Sequence, residues 1–403
     1  MEILGHVTFF IVLFVSFTVN FVHYMHMFQL NSYSAWEQGQ WMKKNYGSIF
    51  LRHVWAIGAA LHTVVSCMYT QVYTNHEHTF IDGVEVIVDT DPVSQFGFDI
   101  AFSDLLVAAG MILIGLMFCV PKKAKKKLVF TPRVIRMCVT STIVYGAVCT
   151  LSMIFGYESG WYLPILCLWQ VFSLFMPMIA NFINKPIEKG VNNHYINDAK
   201  RIINELPNTT VIGITGSFGK TSTKYYLNTL LSAKYNVLMT PASFNTTMGV
   251  VKVVRGSLNA THEIFLCEMG AKGVGEIKEI CDIVNPKHSM ITSIGEQHLE
   301  TFKSVDNIIK TKFEIADCIT DGTVVLNYDN ELIRNHGTDK NKLTYGIGDG
   351  DYDYRATNIK VSPKGTSFTV VHKGESYDFS TKLLGSHNVQ NITGAIAMAN
   401  FMG

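Results

Sequence analysis

Five apolar runs, all before residue 185, constrain the first half of this chain more than any other feature: residues 3–28, 54–73, 100–120, 137–155 and 161–183. Each is close to the ~20 residues a helix needs to cross a hydrocarbon core. In lipid only a helix or a closed barrel satisfies its own backbone. The first run lacks a basic leader and is followed by others, so it is read as a retained span rather than a signal peptide. Charged residues make up only 16% of the chain, and this deficit lies almost entirely before Lys185. The 403 residues therefore divide into a membrane region, 1–184, with about five transmembrane helices, a polar helical connector, 185–207, and a soluble domain, 208–403.

Basic residues set the expected orientation. Lys122, Lys123, Lys125, Lys126 and Lys127, with Lys43, Lys44 and Arg52, belong on the cytoplasmic side. Residues 75–99 carry Glu77, Asp82, Glu85, Asp89, Asp91 and Asp99 and no Lys or Arg, so they belong outside, as does the turn at 157–160. This topology places the soluble domain in the cytoplasm, at the inner face of the cell membrane. His62, Asp104 and Arg136 lie in or near span ends and read as structural rather than as a transport network. Trp36 and Trp41 look like interfacial anchors, and Pro164 and Pro177 are expected to kink the fifth span. The 8 cysteines form no C-x-x-C pair, so neither a zinc site nor a disulfide framework is expected. A net charge of +1 gives no reason to expect a nucleic-acid partner.

The soluble half is organised by Gly213-Ile-Thr-Gly-Ser-Phe-Gly-Lys-Thr-Ser222. A β-branched run precedes it and a helical pattern, 220–234, follows. Strand, glycine turn, Lys-Thr and helix are the parts of a phosphate-binding loop. Gly216 and Gly219 let successive N–H groups, those of Ser217 among them, turn toward a phosphate at the positive end of the new helix. Lys220 is placed to reach the terminal phosphates of ATP, and the Thr221 hydroxyl to sit on Mg²⁺. The spacing departs from the general motif, with Ile214 where the first glycine should stand.

Downstream, strands at 236–240, 263–267, 289–294 and 323–326 alternate with helices into 255, over 275–284 and over 305–318. That rhythm predicts a doubly wound α/β P-loop domain with a mostly parallel sheet. Residues 355–384 alternate at period two and predict a small antiparallel extension, before a last helix from His387. Doubly wound sheets bind ligands at the C-terminal strand ends. Glu268 ends one strand there and offers a hard oxygen to Mg²⁺. His298 follows another, as a second-metal ligand, a phosphate contact or a plain loop histidine.

These residues together resemble the Mur ligase family, which builds the peptide of bacterial cell-wall precursors. The resemblance covers about 208–403, the family's central ATP-binding domain. It rests on the phosphate loop, Ser243-Phe-Asn-Thr-Thr-Met-Gly-Val250, Glu268-Met-Gly-Ala271 with Gly275-Glu-Ile277, His298-Leu-Glu-Thr-Phe302, Lys310-Thr-Lys-Phe-Glu-Ile315 and Leu384-Gly-Ser-His-Asn-Val-Gln-Asn391. The motifs are most similar to the family branch that adds D-alanyl-D-alanine. The resemblance implies that Gly216, Ser217, Gly219, Lys220, Thr221 and Ser222 hold the phosphates of ATP, with Asn388 and Asn391 on base and ribose and Asp329 nearby. It implies two Mg²⁺ ions, one on Thr221 and Glu268, the other on His298 and a carbamylated Lys312, and contact of Asn245 and Thr246 with the acceptor substrate. Lys220, His298 and Lys312 would carry the catalytic work of joining an acid to an amine through an acyl phosphate.

The family usually begins with a domain that grips a UDP-sugar, and here the apolar runs stand in that place. It usually ends with a domain that brings the amine, and this sequence stops at Gly403. The expectation is therefore a ligase core acting on a membrane-associated or lipid-linked cell-wall peptide precursor and completed by a separate C-terminal domain or subunit. The rival from another class is a non-catalytic nucleotide-binding membrane regulator or scaffold. Retention of Lys312, which a mere binder would not need, favours the enzyme.

Overall fold

Residues with alternating exposure in a strand can serve two faces at once, and the C-terminal half uses that property throughout. The computed structural model describes residues 2–73, 77–81, 84–88, 102–117, 126–156, 161–242 and 244–403. They form two compact units, Met1–Lys189 and Gly190–Gly403.

The first unit contains helices α1 (Glu2–Leu30), α2 (Ala35–Lys44), α3 (Tyr46–Tyr73), α4 (Phe102–Met117), α5 (Pro132–Gly156) and α6 (Tyr162–Phe172), and most of α7 (Met176–Asn204). A hairpin of β1 (Glu77–Ile81) and β2 (Val84–Val88) follows α3. Three helices are long and apolar enough to cross a membrane among the described residues, at His6–Leu30, Tyr46–Ser66 and Pro132–Phe155. Of the third run, Ser103–Met117 is an apolar helix, and residues 118–120 lie outside the described residues. The fifth is two helices bent by 76°, so the total reaches four only if that pair counts as one span. The bend falls just before Pro177, whose ring disfavours helical backbone in the preceding residue. Pro164 lies in the first turn of α6, where it is tolerated.

The polar side chains at 62, 104 and 136 in this unit have polar neighbours. His62 Nε2 faces Asp104 at 3.4 Å. A seam joins α5 to α7 through Arg133–Asn181 (2.8 Å), Arg136–Glu188 (2.7 Å) and Thr140–Asn184 (2.9 Å). The expected connector is the continuation of α7, which runs through Pro186 to Asn204. Lys122, Lys123, Lys125, most of 75–99 and the turn at 157–160 lie outside the described residues, and so does Ser243.

The second unit holds β3 (Thr210–Thr215), α8 (Lys220–Leu231), β4 (Val237–Met239), α9 (Thr247–Ser257), β5 (Ile264–Glu268), α10 (Glu276–Val284), β6 (His288–Ile291), α11 (Leu299–Phe302), α12 (Val305–Asp317), β7 (Val324–Asn327), α13 (Glu331–His336), β8 (Lys342–Gly346), β9 (Tyr354–Ser362), β10 (Gly365–His372), β11 (Glu375–Thr381) and α14 (Ser386–Phe401). One nine-stranded sheet has the order β11-β10-β9-β8-β7-β6-β3-β5-β4. It is parallel from β4 to β9 and antiparallel only from β9 to β11, so the extension continues the main sheet.

Alternation sorts the core into two layers. Val211, Phe265, Cys267, Val324 and Leu326 pack with α9, α10 and α12 on one face. Ile212, Ile214, Leu266, Met290 and Val325 pack with α8 and α14 on the other. The strands β3, β5, β6 and β7 consequently end at a common edge, β3 in the middle, where the chain order reverses.

Candidate active site

The loop after β3 is built for close approach. Gly216 has φ +150°, and a Cβ there would lie 2.2 Å from Thr292 Oγ1. Gly219, at φ +83°, opens α8, and a Cβ on it would meet Asn391 Oδ1 at 2.6 Å. Only glycine fits either place. The segment after β6 braces the loop. Ser217 N–H donates to Ser293 O at 2.6 Å, Phe218 N–H to Ser293 Oγ at 3.3 Å and Thr292 Oγ1 to Phe218 O at 2.6 Å. Asn327 Nδ2, from the end of β7, in turn holds Thr292 O at 2.7 Å.

Lys220 Nζ donates to the carbonyls of Gly216 (2.7 Å) and Ser217 (3.0 Å), so the ammonium lies over the loop. Burial lowers its pKa, and Glu268 partly opposes that. Thr221 Oγ1 is 3.0 Å from both carboxylate oxygens of Glu268, which joins the two expected Mg²⁺ ligands. Two further side chains grip the same carboxylate. Asn245 Nδ2 donates to Oε1 at 3.1 Å, and Lys224 Nζ donates to Oε2 at 2.8 Å.

Lys224 was not singled out from the sequence. It is fully buried, with a second bond to Ala242 O. The missed signal is helical spacing: Lys224 lies one turn after Lys220, on the face of α8 that turns to the sheet. Thr246, expected at the substrate, uses its hydroxyl to cap α9, accepting from Gly249 N at 3.3 Å.

The other wall carries cations. Lys312 on α12 is 2% exposed and makes no hydrogen bond or ion pair among the described residues. Burial, and next the Lys220 charge, bring its pKa down to about 8. His298 heads α11 in a left-handed conformation, φ 58°. Its pKa is lowered by desolvation and then by Lys272, Lys312 and Lys220. Lys220, Lys272 and Lys312 thus gather positive charge around a histidine that favours its neutral form.

Asn388 and Asp329 are already engaged. Asn388 Oδ1 accepts from Tyr226 Oη at 2.8 Å. Asp329 accepts from the N–H groups of Ile347 (2.7 Å) and Gly348 (3.2 Å), from Tyr352 Oη (2.7 Å) and from Gln390 Nε2 (2.7 Å). It thus ties β7, the 347–352 loop and α14 together. Ser222 lies in the first turn of α8, half-buried.

Among the described residues no group of three His, Cys, Asp or Glu side chains could hold a metal. One carboxylate beside a hydroxyl nonetheless suits Mg²⁺, which keeps several waters and takes its other ligands from nucleotide phosphates. Thr221 and Glu268 fit that ion.

The family model described as the Mur ligase middle domain matches residues 214–399. The chain is similar to the UDP-N-acetylmuramoyl-tripeptide–D-alanyl-D-alanine ligase of Bacillus subtilis, 37% identical over 51% of this chain and 44% of the relative. It is also similar to the enzyme of that name from Escherichia coli, 27% identical over 56% and 52%. Among solved structures, MurF from Acinetobacter baumannii aligns over 53% of this chain and 47% of its own, with 30% identity and a TM-score of 0.49. The chain spans about half the length of the curated relatives it matches.

Proposed function

We propose that this Mur ligase middle domain is an ATP-dependent amide ligase core of cell-wall precursor synthesis. The observation that carries this reading is the meeting of Thr221, Glu268 and Lys220 at the strand ends, opposite the buried Lys312. Lys220 would turn from the loop carbonyls to the β- and γ-phosphates, while the N–H groups of the first turn of α8 hold them in line, those of Ser217 and Phe218 being engaged by Ser293. Bound Mg²⁺ would neutralise charge on the transferring phosphoryl group. A substrate carboxylate oxygen attacks the γ-phosphorus and ADP leaves. An amine then attacks the acyl carbon, loses a proton, and inorganic phosphate departs. Asn245 links the acceptor loop to Glu268, so acceptor position and cation position are set together.

Lys312 is proposed to be carbamylated. Only a neutral amine adds CO₂, and a pKa of about 8 supplies far more of it at neutral pH than an ordinary lysine does. The product is a carboxylate-like ligand for a second cation, with His298 beside it. The preceding helices are proposed to hold the domain at the cytoplasmic face of the cell membrane, with a membrane-associated or lipid-linked acceptor. The test follows phosphate release by the full chain, supplied in trans with the C-terminal domain of a Mur ligase, a muramoyl-peptide acceptor and D-alanyl-D-alanine. Release should require both substrates, fall at least about tenfold in Lys312→Ala, and recover partly with short added carboxylates. Release indifferent to both substrates, or unchanged in Lys312→Ala, contradicts the reading.

A further inference from the structure

Arg52, in the second turn of α3, is 8% exposed, and its Nε and Nη1 have no hydrogen-bond partner. A guanidinium keeps its proton under all ordinary conditions. Burial therefore leaves a full positive charge with two directed donors unanswered, which is costly unless an anion meets them.

The groups packed around it come from several elements. Tyr24 on α1 has its ring centroid 6.0 Å from Arg52 Cζ, and His23 stacks edge-on to Tyr24. His53, next to Arg52, places Nε2 2.8 Å from Tyr24 Oη. Trp41 on α2 approaches both rings of α1. On α4, Gly115 comes so close that a Cβ would lie 2.9 Å from Arg52 O. None of these is a carboxylate. Asp104 and Glu188 in this unit have other partners, His62 and Arg136.

The depth of the site suggests its ligand. Arg52 is about 9 Å along α3 from Tyr46, at 1.5 Å per residue. Tyr24 is equally far from the end of α1 at Leu30. In a span of ~20 residues that is close beneath the headgroups. Exposed lysines gather at the same end: Lys43 and Lys44 close α2, and Lys126 is fixed there because His26 Nε2 meets its carbonyl at 2.8 Å.

We propose that the Arg52 guanidinium binds the phosphate of an anionic lipid headgroup beside Tyr24 and His53. This rests on reading the long apolar helices as spans and is independent of the ligase chemistry. Each of these N–H groups can give a charge-assisted bond to a phosphate oxygen, and the apolar flanks of α1 and α3 suit the acyl chains.

The experiment uses the full chain in nanodiscs of phosphatidylcholine alone, of phosphatidylcholine with phosphatidylglycerol, and of phosphatidylcholine with inorganic phosphate in the buffer. Melting temperature and lipid retention by native mass spectrometry are read in each. Wild type should gain stability with phosphatidylglycerol, not with inorganic phosphate, and retain that lipid by roughly tenfold over phosphatidylcholine. Arg52→Gln should lose both effects, and Arg52→Lys, which keeps the charge but offers a single nitrogen, should fall between. Equal preference in wild type and Arg52→Gln overturns the proposal, and so does a stability gain from inorganic phosphate matching that from the lipid. Should Arg52→Gln not fold, wild type without a phosphatidylglycerol preference overturns it alone.

Discussion

At the scale of single residues, the site depends on a carboxylate held from three sides. Glu268 has Thr221, Asn245 and Lys224 within 3.1 Å, and both Glu268 and Lys224 are out of solvent. Removing one partner of such a pair strands the other charge, at a cost of about 3–5 kcal/mol. Lys224→Met should therefore lower the unfolding free energy by that order in a denaturant titration, although Lys224 reaches no expected ligand position. A change below about 0.5 kcal/mol would mean that Glu268 is held by its other partners alone. The phosphate loop was legible because glycine, lysine and hydroxyl at fixed offsets have one physical use. Lys224 was not, because a lone lysine on a helix most often lies on a solvated face.

At the scale of elements, strands that feed the site showed through their β-branched runs, while β8 did not. Lys342-Leu-Thr-Tyr-Gly346 is short and polar at its start, and it becomes a strand because β7 and β9 flank it. The short helices α11 and α13 were likewise hidden, since 4 and 6 residues carry too little periodicity to register. The start of β6 offers a pH test. His288 is buried, and its Nδ1 accepts the N–H of Thr323 at 3.1 Å, which requires neutral imidazole at that nitrogen. Burial and then Lys287 lower its pKa below 6.5. The unfolded chain thus takes up the proton first, and stability falls as pH drops from 6.5 toward the folded-state value. His288→Gln, which keeps an acceptor and cannot titrate, should flatten that part of a stability-versus-pH curve. An unchanged slope would assign the acid sensitivity to other groups.

At the scale of the whole molecule, the sequence divided cleanly into an apolar and a polar half, because burial in lipid and burial in a sheet need different periodicities. The kink expected in the fifth run appears as the α6–α7 bend at residues 173–175, just before Pro177. Reporter fusions test the proposed orientation. Fusions after Lys127 and Lys189 should read cytoplasmic, and one within 75–99 external. An external signal after Lys189 would place the domain away from ATP. The central claim, that the loop at Gly216–Lys220 binds Mg-ATP, is tested most directly by calorimetric titration of the full chain and of Lys220→Ala. Wild type should bind Mg-ATP, and Lys220→Ala should show no measurable heat of binding while melting within a few degrees of wild type. Equal affinity in the two proteins would contradict the claim.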